Sequence, residues 1–228
     1  MDLFQVLPPL RSHPLLRGKS IALLGVSAIV CDEAACYFEV GKPRYWQCRE
    51  DGSTVVGVGG IGGSIERGES VLACLRREVE EELGARVRLE LPAQTYLLHE
   101  WQIADTLRLP PGKKRPTPLM LILLPPRLGG PDTPDYLAIL AFLTRLLDAP
   151  SPRDLFGLLR VEQVALMAFF ARAEWPLEEA QAHPGLTITL NGQPPPNSIL
   201  RPVLTARAFQ ALVRAGYAQK PGFFVERA

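Results

Sequence analysis

Residues 55–63, VVGVGGIGG, hold five glycines in nine positions, and the clearest helix of the chain follows soon after. Glycine at that density marks backbone that bends sharply or approaches a ligand closely. The helix reads over residues 70–83. Ser70 fits its N-cap, Gly84 fits its C-terminal stop, and Leu72, Leu75, Val79 and Leu83 recur at helical spacing as one apolar stripe. Whatever the chain folds into must place a tight, nearly side-chain-free backbone beside this amphipathic helix.

The 228 residues allow one medium domain with additions or two small ones, and a composition of 47% hydrophobic residues argues against disorder. A formal net charge of +1 offers no footprint for bulk nucleic acid, although a small nucleotide remains open as a ligand. Residues 1–19 lack the pattern of a signal peptide, and the longest apolar stretch, 21–31, is about half of what a membrane span needs. The expectation is a soluble, cytoplasmic protein without membrane contact. The four cysteines form no CxxC pair and are expected as reduced thiols.

Residues 20–31 and 36–40 read as strands, 87–91 as a short strand and 119–124 as a buried one. Residues 136–147 are apolar throughout and fit strand or helix. A helix is expected over 162–174, packing Val164, Leu166, Met167 and Phe170. Another is expected over 206–215, capped by Thr205 and stopped at Gly216. Residues 187–190 look like a strand, but Pro194, Pro195 and Pro196 block an ordinary return strand. Residues 106–134 are proline-rich and carry the basic run 113–115, a solvated turn or a contact for substrate phosphates.

The run EVEEEL within the helix carries the chemistry. At 100° per residue, with Leu72 at zero, Glu81, Glu78 and Glu82 fall at about 180°, about 240° and about 280°, beside the apolar stripe. Glu80, at about 80°, points elsewhere. Three carboxylates on one arc repel one another, and a hard divalent cation reverses the sign of that interaction. A solvated acidic face would explain EVEEEL alone. It does not explain the fixed offsets of Gly63, Glu69, Arg77, Glu78, Glu81, Glu82 and Gly84 in GSIERGESVLACLRREVEEELGA.

That 23-residue segment, Gly63 to Ala85, resembles the Nudix box of the Nudix hydrolases. Every charged and glycine position of the family pattern is filled. Ala85 stands where a bulkier aliphatic residue is usual, and the preceding segment lacks the tryptophan and proline often found there. The resemblance implies an α/β fold, a Nudix-type α/β/α sandwich with a mixed β-sheet, here followed by a C-terminal α/β extension. The expected division is an arm at 1–18, a Nudix domain at 19–175 and the extension at 176–228. The resemblance also implies Mg²⁺, with Mn²⁺ as an alternative, held by Glu78, Glu81, Glu82 and the Gly62 carbonyl. Glu78 and Glu81 would serve catalysis, with Arg77 orienting a glutamate, Glu69 bracing the loop and Glu66 supporting.

The implied reaction is attack of water on phosphorus in a nucleoside diphosphate linked to another moiety. The general base is open between a box glutamate, Asp148 and Asp154. His99 lacks a partner at defined spacing, and Trp101 or Tyr96 offers a face for a nucleobase or for the core. A second reading is a non-catalytic Nudix-like nucleotide-binding regulatory module whose segment 176–228 reads out the bound state. The intact acids argue against it. Oligomeric state is left open, a homodimer included.

Overall fold

In a computed structural model the described residues are 1–109, 117–126 and 133–219. The basic run at 113–115 and much of the proline-rich segment lie outside them. A short helix, α1 (Leu3–Val6), precedes the hairpin of β1 (Ile21–Cys31) and β2 (Ala35–Val40). Then β3 (Gln47–Cys48), β4 (Thr54–Gly59) and β5 (Ile61–Ser64) lead into α2 (Val71–Leu83). Next come β6 (Val87–Leu89), β7 (Thr95–His99), β8 (Gln102–Leu107), β9 (Met120–Leu124) and β10 (Tyr136–Leu146). The C-terminal third holds β11 (Gly157–Glu162), α3 (Gln163–Ala171), β12 (Trp175–Pro176), α4 (Leu177–Ala182), β13 (Leu186–Leu190), β14 (Ser198–Pro202) and α5 (Leu204–Arg214).

All these strands join one mixed sheet, whose main path runs β12-β14-β4-β2-β1-β10-β9-β7-β8. The β1–β10, β14–β4 and β7–β9 pairs are parallel, and the β1–β2 hairpin is antiparallel. Pairing with β1 decides the ambiguous segment: Tyr136–Leu146 lies against Ile21–Cys31 as a strand. Strand alternation sends side chains to two apolar cores. One lies under α3 and α5 and holds Phe38, Phe170 and Phe209; the other lies under α2 and the N-terminal segment and holds Leu3, Leu16, Leu75 and Leu83. The expected α/β/α sandwich with a mixed sheet is therefore the observed architecture.

The C-terminal residues are built into this sheet. β14 adds parallel to β4, β13 pairs with β11, and the triple proline stands between two strands that do not pair with each other. Phe209 of α5 packs tilted against Phe38 of β2 and edge-on against Phe170 of α3, with ring centroids 6.2 and 5.6 Å apart.

Three local expectations change. Helix α3 is shorter than expected, buries Ala165, Leu166, Phe169 and Phe170, and leaves Val164 86% exposed and Met167 37% exposed. Its sequence is apolar on every side, so no pattern marks which face turns inward. Helix α5 begins at Leu204 behind Val203, and Thr205 is buried inside its first turn rather than capping it. Finally, the hairpin sets Cys31 opposite Cys36 with Cα atoms 4.1 Å apart, and the two form a disulfide; Cys48 and Cys74 are the free thiols.

If α5 shares the cooperative core of the sheet, Phe209→Ala should lower stability by about 3–5 kcal/mol in urea unfolding. A loss below about 1 kcal/mol would mean that α5 packs as a dispensable addition.

Candidate active site

Helix α2 is set by its ends. Ser70 Oγ accepts from the Ala73 N–H at 3.2 Å, and Gly84 takes the left-handed conformation, φ 58°. Its buried residues are Val71, Cys74, Leu75, Val79, Glu82 and Leu83. On the same helical wheel they span about 200° through 360° to about 20°, with Glu82 near the middle. Glu82 thus sits inside the buried face, while Leu72 lies half-buried at its rim.

The glycines make this arrangement fit. Glu82 is 8% exposed and accepts from the Gly62 N–H at 3.0 Å. Gly62 has φ 151°, and a Cβ there would stand 2.3 Å from the Val26 carbonyl oxygen. At Gly63 a Cβ would stand 2.4 Å from Glu78 Oε1. Side chains are missing from β5 where the two carboxylates lie.

Arg77 gathers the remaining acids. It donates twice to Glu69, at 2.9 and 3.0 Å, and through Nη1 to Glu78 at 2.9 Å and Glu81 at 3.1 Å. It also donates to the Ser64 carbonyl at 3.3 Å and to Cys74 Sγ at 3.6 Å. This guanidinium, with the Glu66 N–H, pushes the Glu69 carboxyl down to about 2. Glu66 supports through its backbone. Glu81 is mostly exposed at the edge of the group, and Glu80 faces solvent away from it.

One acid was hidden in the sequence. Glu39, in β2, shares the sheet face of Tyr37, which belongs to the core under α2, whereas Phe38 and Val40 point to the opposite core. Its charge is felt at Glu82, and the Glu78 charge is felt at Glu39. The only signal for it was a single acid inside the apolar run ACYFEV. Lys42, at the end of the same strand's loop, acts electrostatically on both Glu39 and Glu82 and donates to Asp154 at 2.8 Å.

The two aspartates proposed as bases part ways. Asp148 accepts from Arg86 Nε and Nη2 at 2.9 and 3.0 Å and is pushed down to about 2 by that guanidinium. Asp154 pairs with Lys42, whose charge reaches Glu39 and Glu82. The loop carrying both aspartates donates Ser151 and Arg153 N–H groups to the last carbonyls of α2, at 2.7 and 3.1 Å. Tyr96 and Trp101 pack with the core under α3 and α5, on the sheet face away from the glutamates, and Arg207 lies over the Trp101 ring. His99 stands edge-on to Tyr136.

Among the described residues, no three His, Cys, Asp or Glu side chains already stand in a metal-holding group. The donors present nevertheless suit a hard cation. Glu78, Glu82 and Glu39 supply carboxylate oxygens that repel one another, and the Gly62–Gly63 backbone borders them. The nearby sulfur, Cys74, is buried, with its thiol pushed up to about 12.

Residues 25–137, just under half of the chain, match the family described as NUDIX domain. Among solved structures the chain is similar to a NUDIX-family hydrolase from Clostridium perfringens, with 16% identity, 63% of this chain and 83% of that chain covered, and a TM-score of 0.36. The E. coli ORF135 protein gives 13% identity, coverage of 65% and 79%, and a TM-score of 0.35. A MutT NUDIX hydrolase from Burkholderia pseudomallei gives 16%, 58%, 73% and 0.29. No curated protein matches the sequence.

The buried acids set a pH dependence. Glu82 is pushed up to about 8 by burial and then by the Glu39 charge, and Glu39 to about 7 by burial. Both lie above the ordinary 4.5, so the folded chain holds these protons more tightly than the unfolded chain. Their stabilising contribution is complete below about pH 4.5 and is lost as pH rises through about 7 to 8. Melting temperature in EDTA is expected to fall between about pH 5 and about pH 8.5, with a shallower fall in Glu82→Gln. A wild-type profile that rises across this window would contradict the assignment.

Proposed function

We propose that the chain is a Mg²⁺-dependent Nudix hydrolase, able to use Mn²⁺, that cleaves the phosphoanhydride bond of a nucleoside diphosphate linked to another moiety. The observation that carries this reading is the meeting of Glu78 and Glu82 with the side-chain-free backbone at Gly62 and Gly63. In this reading Glu78, Glu81, Glu82 and the Gly62 carbonyl hold the metal. When bound, Mg²⁺ supplies Lewis-acid polarisation of phosphate oxygens and a lowered pKa for the attacking water.

The protein's own groups do the rest. Glu69 fixes the plane of Arg77 through two hydrogen bonds, and Arg77 in turn fixes Glu78 and Glu81. Lys42 brings an ammonium to the rim of the acidic group, where it can meet phosphate oxygens. Asp154 is better suited than Asp148 to accept a proton from water, because Asp148 is tied to Arg86 and holds its proton too weakly. A small nucleotide-type substrate agrees with the near-neutral net charge of +1. Among the described residues no helix is long and apolar enough to cross a membrane.

The test is release of phosphate or nucleotide from a panel of nucleoside diphosphate derivatives with Mg²⁺. Turnover should vanish in EDTA and drop about 10²–10³-fold in Glu82→Gln, the scale for removing one group that stabilises developing charge. Activity indifferent to both would sink the mechanism. Tight nucleotide binding without turnover would favour a regulatory module.

A further inference from the structure

The acid hidden in β2 has no place in the 23-residue box, yet the fold delivers it to the box glutamates. We infer that Glu39 is a ligand of the divalent-cation site, supplied from outside the box. The inference rests on the metal-dependent reading of that site.

Four observations carry it. First, Glu39 is the sole charged residue of β2, and alternation turns it toward α2 rather than toward solvent beyond the sheet. Second, its register partner on β4 is Gly59, where a Cβ would stand 2.5 Å from Glu39 Oε1. The neighbouring strand is therefore bare where this carboxylate lies, as β5 is bare at Gly63 for Glu78. Third, the Glu39 carboxylate belongs to a residue of intermediate exposure in a strand that is otherwise buried. No hydrogen bond reaches it from any described residue. Fourth, Lys42, the one cation among the described residues that acts on it, has its Nζ hydrogen-bonded to Asp154.

A half-buried carboxylate without a protein donor, repelled by the charges of Glu78 and Glu82, is unfavourable as it stands. Ordinary packing would replace it with one of the apolar residues that fill the rest of β2. A hard divalent cation supplies what is missing: it neutralises the shared negative charge and takes the unpaired oxygens as ligands. Strand β2 and helix α2 would then grip the ion from two sides, so that metal binding ties the hairpin to the box.

The test uses Mn²⁺ alone, without substrate, titrated calorimetrically into the full chain near neutral pH. Wild type should bind, Glu82→Gln should lose binding, and Glu39→Gln should weaken it about 10-fold or more, on the scale of losing a group that supports a metal site. A melt of Glu39→Gln in EDTA at about pH 8 should be no lower than wild type, since the substitution removes a repelled charge. If Glu39→Gln does not fold, Glu39→Asp withdraws the carboxylate by one methylene and should show the same weakening. Unchanged Mn²⁺ affinity in a folded Glu39 variant overturns the inference, as does unchanged affinity accompanied by lost turnover, which would make Glu39 a proton acceptor. Absent binding in wild type, or wild-type affinity in Glu82→Gln, overturns instead the metal site on which the inference rests.

Discussion

The burial of Glu82 is the constraint around which the site is arranged. A carboxylate in the middle of a helix's inward face ordinarily defeats packing. Here it is tolerated because β5 presents backbone instead of side chains. The Gly62 N–H meets one oxygen, and the missing Cβ at Gly63 leaves room for Glu78 alongside. The other glycines of residues 55–63 answer to different neighbours: a Cβ at Gly57 would meet Val203, at Gly59 Glu39 and at Gly60 Ser27.

The acids divide into two electrostatic classes. Glu69, Glu78 and Glu81 share the guanidinium of Arg77, which compensates them at the rim. Glu82 and Glu39 sit further in, with a single backbone N–H between them and Lys42 held off by Asp154. The outer class is settled as it stands. The inner class lacks such a partner, and burial together with mutual repulsion makes both carboxyls hold their protons more tightly than ordinary glutamates.

What could be read from the sequence was local. The helix, its caps and the offsets from Glu69 to Gly84 lie within one short segment, so helical spacing was enough to group Glu78, Glu81 and Glu82, while the resemblance marked Arg77 as the partner of a glutamate, Glu78 or Glu69. Glu39 stands 39 positions from Glu78, and only strand pairing brings them together. Its one local mark is its place inside the apolar run ACYFEV, which does not say what it meets. The same reason hid the strand character of residues 136–146, decided by a partner more than a hundred residues away, and the pairing of Cys31 with Cys36, decided by hairpin register. Where a segment is apolar on all sides, as α3 is, even the local pattern is silent about orientation.

The parallel addition of β14 to β4 has a consequence for how the chain comes to be folded. Strand β4 leads directly into the glycine backbone of the site, and among the described residues one of its edges is satisfied by β14 and its flanking residues Asn197 and Val203. During synthesis, everything else that surrounds the glutamates leaves the ribosome well before those residues do. For that interval the strand offers a row of unpaired N–H and C=O groups, open to a wrong partner. The last fifth of the chain thus acts as a closing seam, and a nascent chain stalled before it would hold a box of the right letters on an unfinished sheet.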